Sequence, residues 1–115
     1  MTLSVDAFWT DSEGIEHTLP LKSSLAGVES TRRTFYGSPQ AIAKGLRLLP
    51  RLLEQATLQV DADSFEMFLG EIEVLEELAR ESDTYESYWR FRLDNLRAAV
   101  AAARAHGSAG KVELG

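Results

Sequence analysis

Carboxylates crowd one stretch of this chain, and they set the first question about its chemistry. Between Asp61 and Glu86 lie ten acids (Asp61, Asp63, Glu66, Glu71, Glu73, Glu76, Glu77, Glu81, Asp83 and Glu86) and one base, Arg80. The stretch has a formal charge of −9; the remaining eight acids and eleven bases contribute +3, for a net of −6. Paired carboxylates can hold a metal or exchange protons. The di-metal bundles that do so set Glu-x-x-His pairs into a dry core, and no glutamate here precedes a histidine by three. Glu66, Glu73, Glu77 and Glu81 instead recur at steps of seven and four, with Glu76 beside them. That spacing predicts a water-facing stripe on one helix, which lacks the enclosed cavity metal catalysis needs. A fixed negative face of this kind suits a basic protein partner.

Other chemistry finds little footing. His17 and His106 are distant in sequence, and neither has a nucleophile or proton donor specified nearby. His17 reads as a half-buried, hydrogen-bonded strand residue. His106 falls in the last turn of a helix, where the dipole favours a cation. Gly-x-Ser-x-Gly, Gly-x-x-x-x-Gly-Lys and Gly-x-Gly-x-x-Gly are all absent. The expectation is a non-enzymatic protein with no catalytic residue, no metal and no cofactor.

Two basic groups run against the acidic trend. Lys44, Arg47 and Arg51 share a helical spacing opposite Ile42 and Leu46, with Arg32 and Arg33 ahead of them; Arg90, Arg97 and Arg104 step by seven. Nucleic acid is not the expected partner, because a pI near 4.9 opposes phosphate binding. Internal pairing is the alternative use, and Glu76–Arg80 and Glu86–Arg90 have the favourable i,i+4 order. Tyr85, Tyr88, Trp89 and Phe91 place four aromatics in seven residues. A helix cannot turn all of them to one side, so at least one is exposed or packed on the sheet or a partner. Tyr85, Tyr88 and Trp89 are the expected anchors of a partner interface. Phe8, on the less apolar face of its strand, suggests a second surface such as a homodimer contact.

These side chains must be positioned by a domain of 115 residues, 44% hydrophobic and 26% charged, which predicts one globular unit over 1–115. Leu3, Val5, Ala7 and Trp9 alternate with Ser4, Asp6 and Phe8, and Ile15, His17, Leu19 and Leu21 with Glu16, Thr18 and Pro20, across the turn sequence Thr10–Gly14. This is the pattern of a β-hairpin over residues 2–21, with Pro20 at a sheet edge. Leu25, Val28, Arg32 and Phe35 have the spacing of a short helix capped by Ser23 and Ser24. Ser38–Pro39 starts the next helix, in which Ile42, Leu46, Leu49, Leu53 and Ala56 form one buried stripe; Pro50 either kinks it or starts a second short helix. Leu58 to Val60 is a brief strand or a connection. Phe65, Phe68, Leu69, Ile72, Leu75 and Leu78 line the acidic helix, which Asp63 and Glu66 begin in capping-box order. Asp83 and Glu86 repeat that order before a last helix from Thr84 to His106, with Trp89, Leu93, Leu96, Val100 and Ala103 inward and Gly107 as its cap. Lys111 to Leu114 returns as a strand or frays. The fold class is α+β: a small antiparallel sheet packed against three or four helices.

No signal peptide is expected at the N-terminus, no stretch reaches the ~20 apolar residues of a membrane span, and cysteine is absent. A cytoplasmic location without a membrane partner is expected. The hairpin Leu3–Leu21, the run Leu46-Arg47-Leu48-Leu49-Pro50-Arg51-Leu52-Leu53 and the glutamate-rich helix Phe65–Leu78 together resemble small acidic immunity proteins of bacterial toxin systems. That resemblance implies a tight basic partner, often a nuclease, encoded beside this chain. It transfers no functional residue by position. The alternative is a small-molecule-binding or regulatory module, a homodimer among its forms, with a pocket between sheet and helices near Trp9, His17 and Tyr36.

Overall fold

The computed structural model describes residues 2–115. Its sheet is antiparallel throughout and is organised on one long strand, β1 (Thr2–Thr10). β2 (Glu16–Leu19) pairs with the far half of β1, placing Trp9 opposite His17. β3 (Leu25–Val28) continues along the near end, with Leu3 opposite Gly27. Across β1 lies β5 (Gly110–Leu114), and beyond it β4 (Leu58–Asp61). The C-terminal segment is therefore an interior strand rather than a frayed end.

The period-two pattern is realised directly. Leu3, Val5 and Ala7 are fully buried, as are Leu58, Val60, Val112 and Leu114 from the neighbouring strands. All belong to one core, covered on that face by helices. Phe8 points the other way, yet it is buried; in register it is flanked by Thr18 and Lys111. It is therefore not the open contact surface expected from its position.

Three helices form the second layer: α1 (Pro39–Ala43), α2 (Phe65–Arg80) and α3 (Arg90–Arg104). α3 lies across β1, β5 and β3 and buries Leu93, Leu96, Val100 and Ala103, with Trp89 in the π-type turn Tyr85–Trp89 that leads into it. α2 packs against α3 and buries Phe65, Phe68, Ile72, Leu75 and Ala79. Gly107 takes the left-handed conformation, φ +59°, that stops the chain after α3. Gly110 then passes so close that an added Cβ would lie 1.9 Å from the Ala103 carbonyl oxygen.

Three expectations are corrected. Residues 23–36 form no ordinary helix, but β3 followed by the π-type turn Arg32–Tyr36. A four-residue run containing Gly27 is a weak helix, and β1 offers it an open edge. The carbonyls of β3 are then closed off by side chains: Asn95 Nδ2 donates to Leu25 O at 2.9 Å and the Tyr36 hydroxyl to Ala26 O at 2.6 Å. Ser38 caps α1 as expected, accepting from Ala41 N at 3.1 Å, but the helix stops at Ala43. Gly45 turns the chain at φ +94°, and Leu49–Leu53 forms a separate 3-10 helix with Pro50 in its first turn. The break changes the phase, so Leu46, Leu48, Leu49 and Leu52 are buried while Ile42, Leu53 and Ala56 are exposed. Neither capping box forms; Asp63 and Asp83 bond no helical N–H, and Ser82 Oγ accepts from Thr84 N instead. No helix among the described residues is long and apolar enough to cross a membrane.

Candidate functional site

At 100° per residue, Glu66, Glu73, Glu77 and Glu81 fall within an arc of about 80° on α2. All four are exposed, and Glu76, about 60° outside that arc, is half-buried. The structure divides them into two sets. Glu66 pairs with Arg104 of α3. Glu76 is the centre of a network: Arg97 Nη2 lies 2.9 Å from its Oε1 and Nη1 3.1 Å from Oε2, the Tyr85 hydroxyl donates at 2.9 Å, and Arg80 stands at 3.6 Å. The Arg97 hydrogen bonds hold the Glu76 carboxyl below the usual glutamate range and lift the Arg97 guanidinium above its own. Glu73, Glu77 and Glu81 have no ion pair among the described residues.

The arginine stripe of α3 is consumed by this arrangement. Arg90 pairs with Glu86 at 3.1 Å, Arg97 with Glu76 and with Asp94 at 3.1 Å, and Arg104 with Glu66. The two pairs expected from i,i+4 order, Glu76–Arg80 and Glu86–Arg90, are present. What faces water along α2 is thus an acidic remainder, Glu73, Glu77 and Glu81, while Arg80 and the arginine stripe of α3 are engaged elsewhere. Lys44, Arg47 and Arg51 do not share a helical face, because the helix expected to carry them is broken.

Glu71 behaves unlike the other acids. It is only 7% exposed, and its carboxylate accepts backbone hydrogen bonds from Arg47 N at 2.8 Å, Leu48 N at 3.0 Å and Leu49 N at 2.9 Å. These are unpaired donors at the start of the 3-10 helix Leu49–Leu53. At the other end of that helix, Arg32 donates to the carbonyls of Leu52 at 3.1 Å, Gln55 at 3.0 Å and Ala56 at 2.9 Å, and pairs with Glu29 at 2.8 Å. A carboxylate at the N-terminus and a guanidinium at the C-terminus complement the dipole of the turn they enclose. The sequence carried a signal for Glu71: it lies three residues from Phe68 and four from Leu75, on the apolar side of α2.

The aromatic cluster separates in the same way. Trp89 is buried, stacked on Phe35 at 3.5 Å between centroids, with Tyr36 edge-on at 5.8 Å. Tyr85 is tied to Glu76, and Tyr88 lies under the Arg92 guanidinium at 3.5 Å. The exposed member of the four is Phe91, at 48%. Trp89 therefore serves the core, and none of the three expected anchors stands free in water.

Both histidines converge on Trp9, which the sequence order conceals. His17 stacks on one side at 4.5 Å and His106 at 4.9 Å, the latter nearly parallel. Asp11 Oδ2 lies 2.8 Å from His17 Nε2, and that bond, with the N–H groups of Ile15 and Glu13, holds the Asp11 carboxyl below its usual range. Tyr36 does not join them. It bonds to β3, which pairs with the opposite end of β1, about 20 Å away at ~3.3 Å per residue. Burial pushes the Tyr36 phenol well above its usual range, so it remains a hydrogen-bond donor to Ala26. Among the described residues no group of three histidine, aspartate or glutamate side chains converges as a metal site.

No protein-family model, no curated protein and no solved structure matches this chain.

Proposed function

We propose that this chain is a non-enzymatic binding protein whose exposed α2 face receives a basic protein, in the manner of an immunity protein neutralising a basic toxin. The observation that carries the reading is the set Glu73, Glu77 and Glu81, without ion pairs among the described residues, beside Arg80, Arg90, Arg97 and Arg104, which are all paired with other acids. Such a face costs stability through self-repulsion and favours encounter with a cationic surface. Glu66 and Glu76 pair with Arg104 and Arg97 of α3, which couples the face to the second helix; Glu66 stays exposed on that face beside the free glutamates. The contribution of the free glutamates is to association rate and partner choice, since exposed pairs are worth about 0–1 kcal/mol each.

The test is affinity capture at low and high salt with two baits, the parent and the double variant Glu73→Lys, Glu77→Lys. The expected result is a basic protein held by the parent at low salt, released at high salt and absent from the variant. Retention of the same protein by both baits would refute the assignment. Circular dichroism of the variant should match the parent, because both side chains are exposed and have no ion pair among the described residues.

A further inference from the structure

Where α2 ends, a cleft of about 330 Å³ opens beside Leu75, Leu78 and Ala79, around the helix from Glu73 and Glu77, and Glu81 is the one residue it shares with the acidic face. The stacked pair Phe35 and Trp89 lines it together with Leu78 and the buried Ser38, and the exposed Ser82 and Glu81 stand at its rim. Three features of this cleft specify a ligand class. Its volume is at the lower limit of ligand sites, about 300 Å³, which suits one side chain rather than a nucleotide. Its one charged lining residue is Glu81, an acid, and no base lines it. Ser38 Oγ already accepts from Ala41 N, and Glu81 has no ion pair among the described residues, which leaves its carboxylate free as an acceptor.

We infer that this cleft is the specificity pocket of the α2 face and accepts a cationic side chain of the basic partner. The inference rests on the reading of α2 as the docking surface. A cation entering beside an aromatic wall gains attraction from the rings and from the carboxylate together, in a partly desolvated setting. Glu81 lies one turn beyond Glu77, at the C-cap of α2, so the negative field of the face reaches the mouth of the pocket. An anionic side chain would meet Glu81 with no compensating base.

The test uses the whole chain with Trp9→Phe, so that Trp89 is the one tryptophan, and three blocked tetrapeptides of arginine, lysine or glutamate. Binding is followed by calorimetry and by Trp89 emission at low salt; amide shifts of Ser82 and Gln40 in the unsubstituted protein give a readout that does not depend on the Trp9 variant. The expected result is a saturable Trp89 and Ser82 response to a cationic peptide and none to the glutamate peptide. Glu81→Gln should weaken that response about three- to tenfold, the equivalent of roughly 0.7–1.4 kcal/mol. The ratio of the arginine to the lysine response identifies which cation fits. Calorimetric binding with silent Trp89 and Ser82 signals, or a response that Glu81→Gln leaves unchanged, would overturn the pocket while leaving the α2 surface standing. No binding of either cationic peptide would overturn both.

Discussion

Replacing Glu71 should damage the fold more than replacing any other acid of α2. Its carboxylate serves three backbone N–H groups, and those of Leu48 and Leu49 belong to buried residues. Glu71→Ala leaves these two donors without partners, at about 1–3 kcal/mol each. Arg47 is exposed and water replaces its acceptor at little cost. Against this, the variant no longer buries a charge, which recovers part of the loss. The expected net is a destabilisation of about 3 kcal/mol, a large share of the 5–15 kcal/mol typical of a domain. For a chain of this size it corresponds to a fall in Tm of roughly 10–15 °C. Glu71→Gln retains an acceptor oxygen but turns an NH2 toward the donors, and should lose about half as much, roughly 1.5 kcal/mol. Urea unfolding followed by tryptophan emission measures both, with Glu73→Gln as a control expected within about 0.5 kcal/mol of the parent. Hydrogen exchange at Leu48 and Leu49 should accelerate in Glu71→Ala. If Glu71→Ala and Glu73→Gln unfold at the same urea concentration, the clamp assigned to Glu71 is wrong.

The Glu76 network predicts an acid limb. The folded carboxyl is held below its ordinary value of 4.5, chiefly by Arg97, so its stabilisation is complete above that value and is lost as pH falls through the folded value. Stability measured from pH 7 to pH 3 should therefore drop less steeply below pH 4.5 in Glu76→Gln, with about 1–3 kcal/mol already missing at pH 7; parallel curves would contradict this. Gly110→Ala should destabilise by about 3 kcal/mol or more, because a Cβ 1.9 Å from Ala103 O forces β5 away from α3. A soluble variant with parental Tm would show that the two segments separate more easily than their contact implies.

Much of the architecture was legible before any coordinates. The alternation of Leu3, Val5 and Ala7, the +4, +3 spacing of Trp89 to Ala103 and the Ser38–Pro39 start are local patterns, each set by the periodicity of one element. The stretches that misled were short or interrupted. Leu25–Val28 has too few residues for its own preference to outweigh an available strand edge. Of the two readings open at Pro50, the second short helix is the one that forms, but the stripe from Ile42 to Ala56 requires a single phase, and the turn at Gly45 resets that phase.

The candidate surface divides along the same line. The charge imbalance, the helical spacing of the α2 glutamates and the impossibility of turning four clustered aromatics to one side of a helix are all properties of the linear chain. Which charges remain free depends on packing between elements. Glu66 and Glu76 find Arg104 and Arg97 on another helix, Glu71 turns inward to cap a turn more than twenty residues away, and Phe91 rather than Trp89 meets water. His17 and His106 reach Trp9 because β1 pairs with β2 and with the strand that follows α3. Spacing within an element follows from backbone geometry, whereas partners across elements depend on how the layers pack. An ionic side chain is assigned its role by the opposite charge that packing brings within reach.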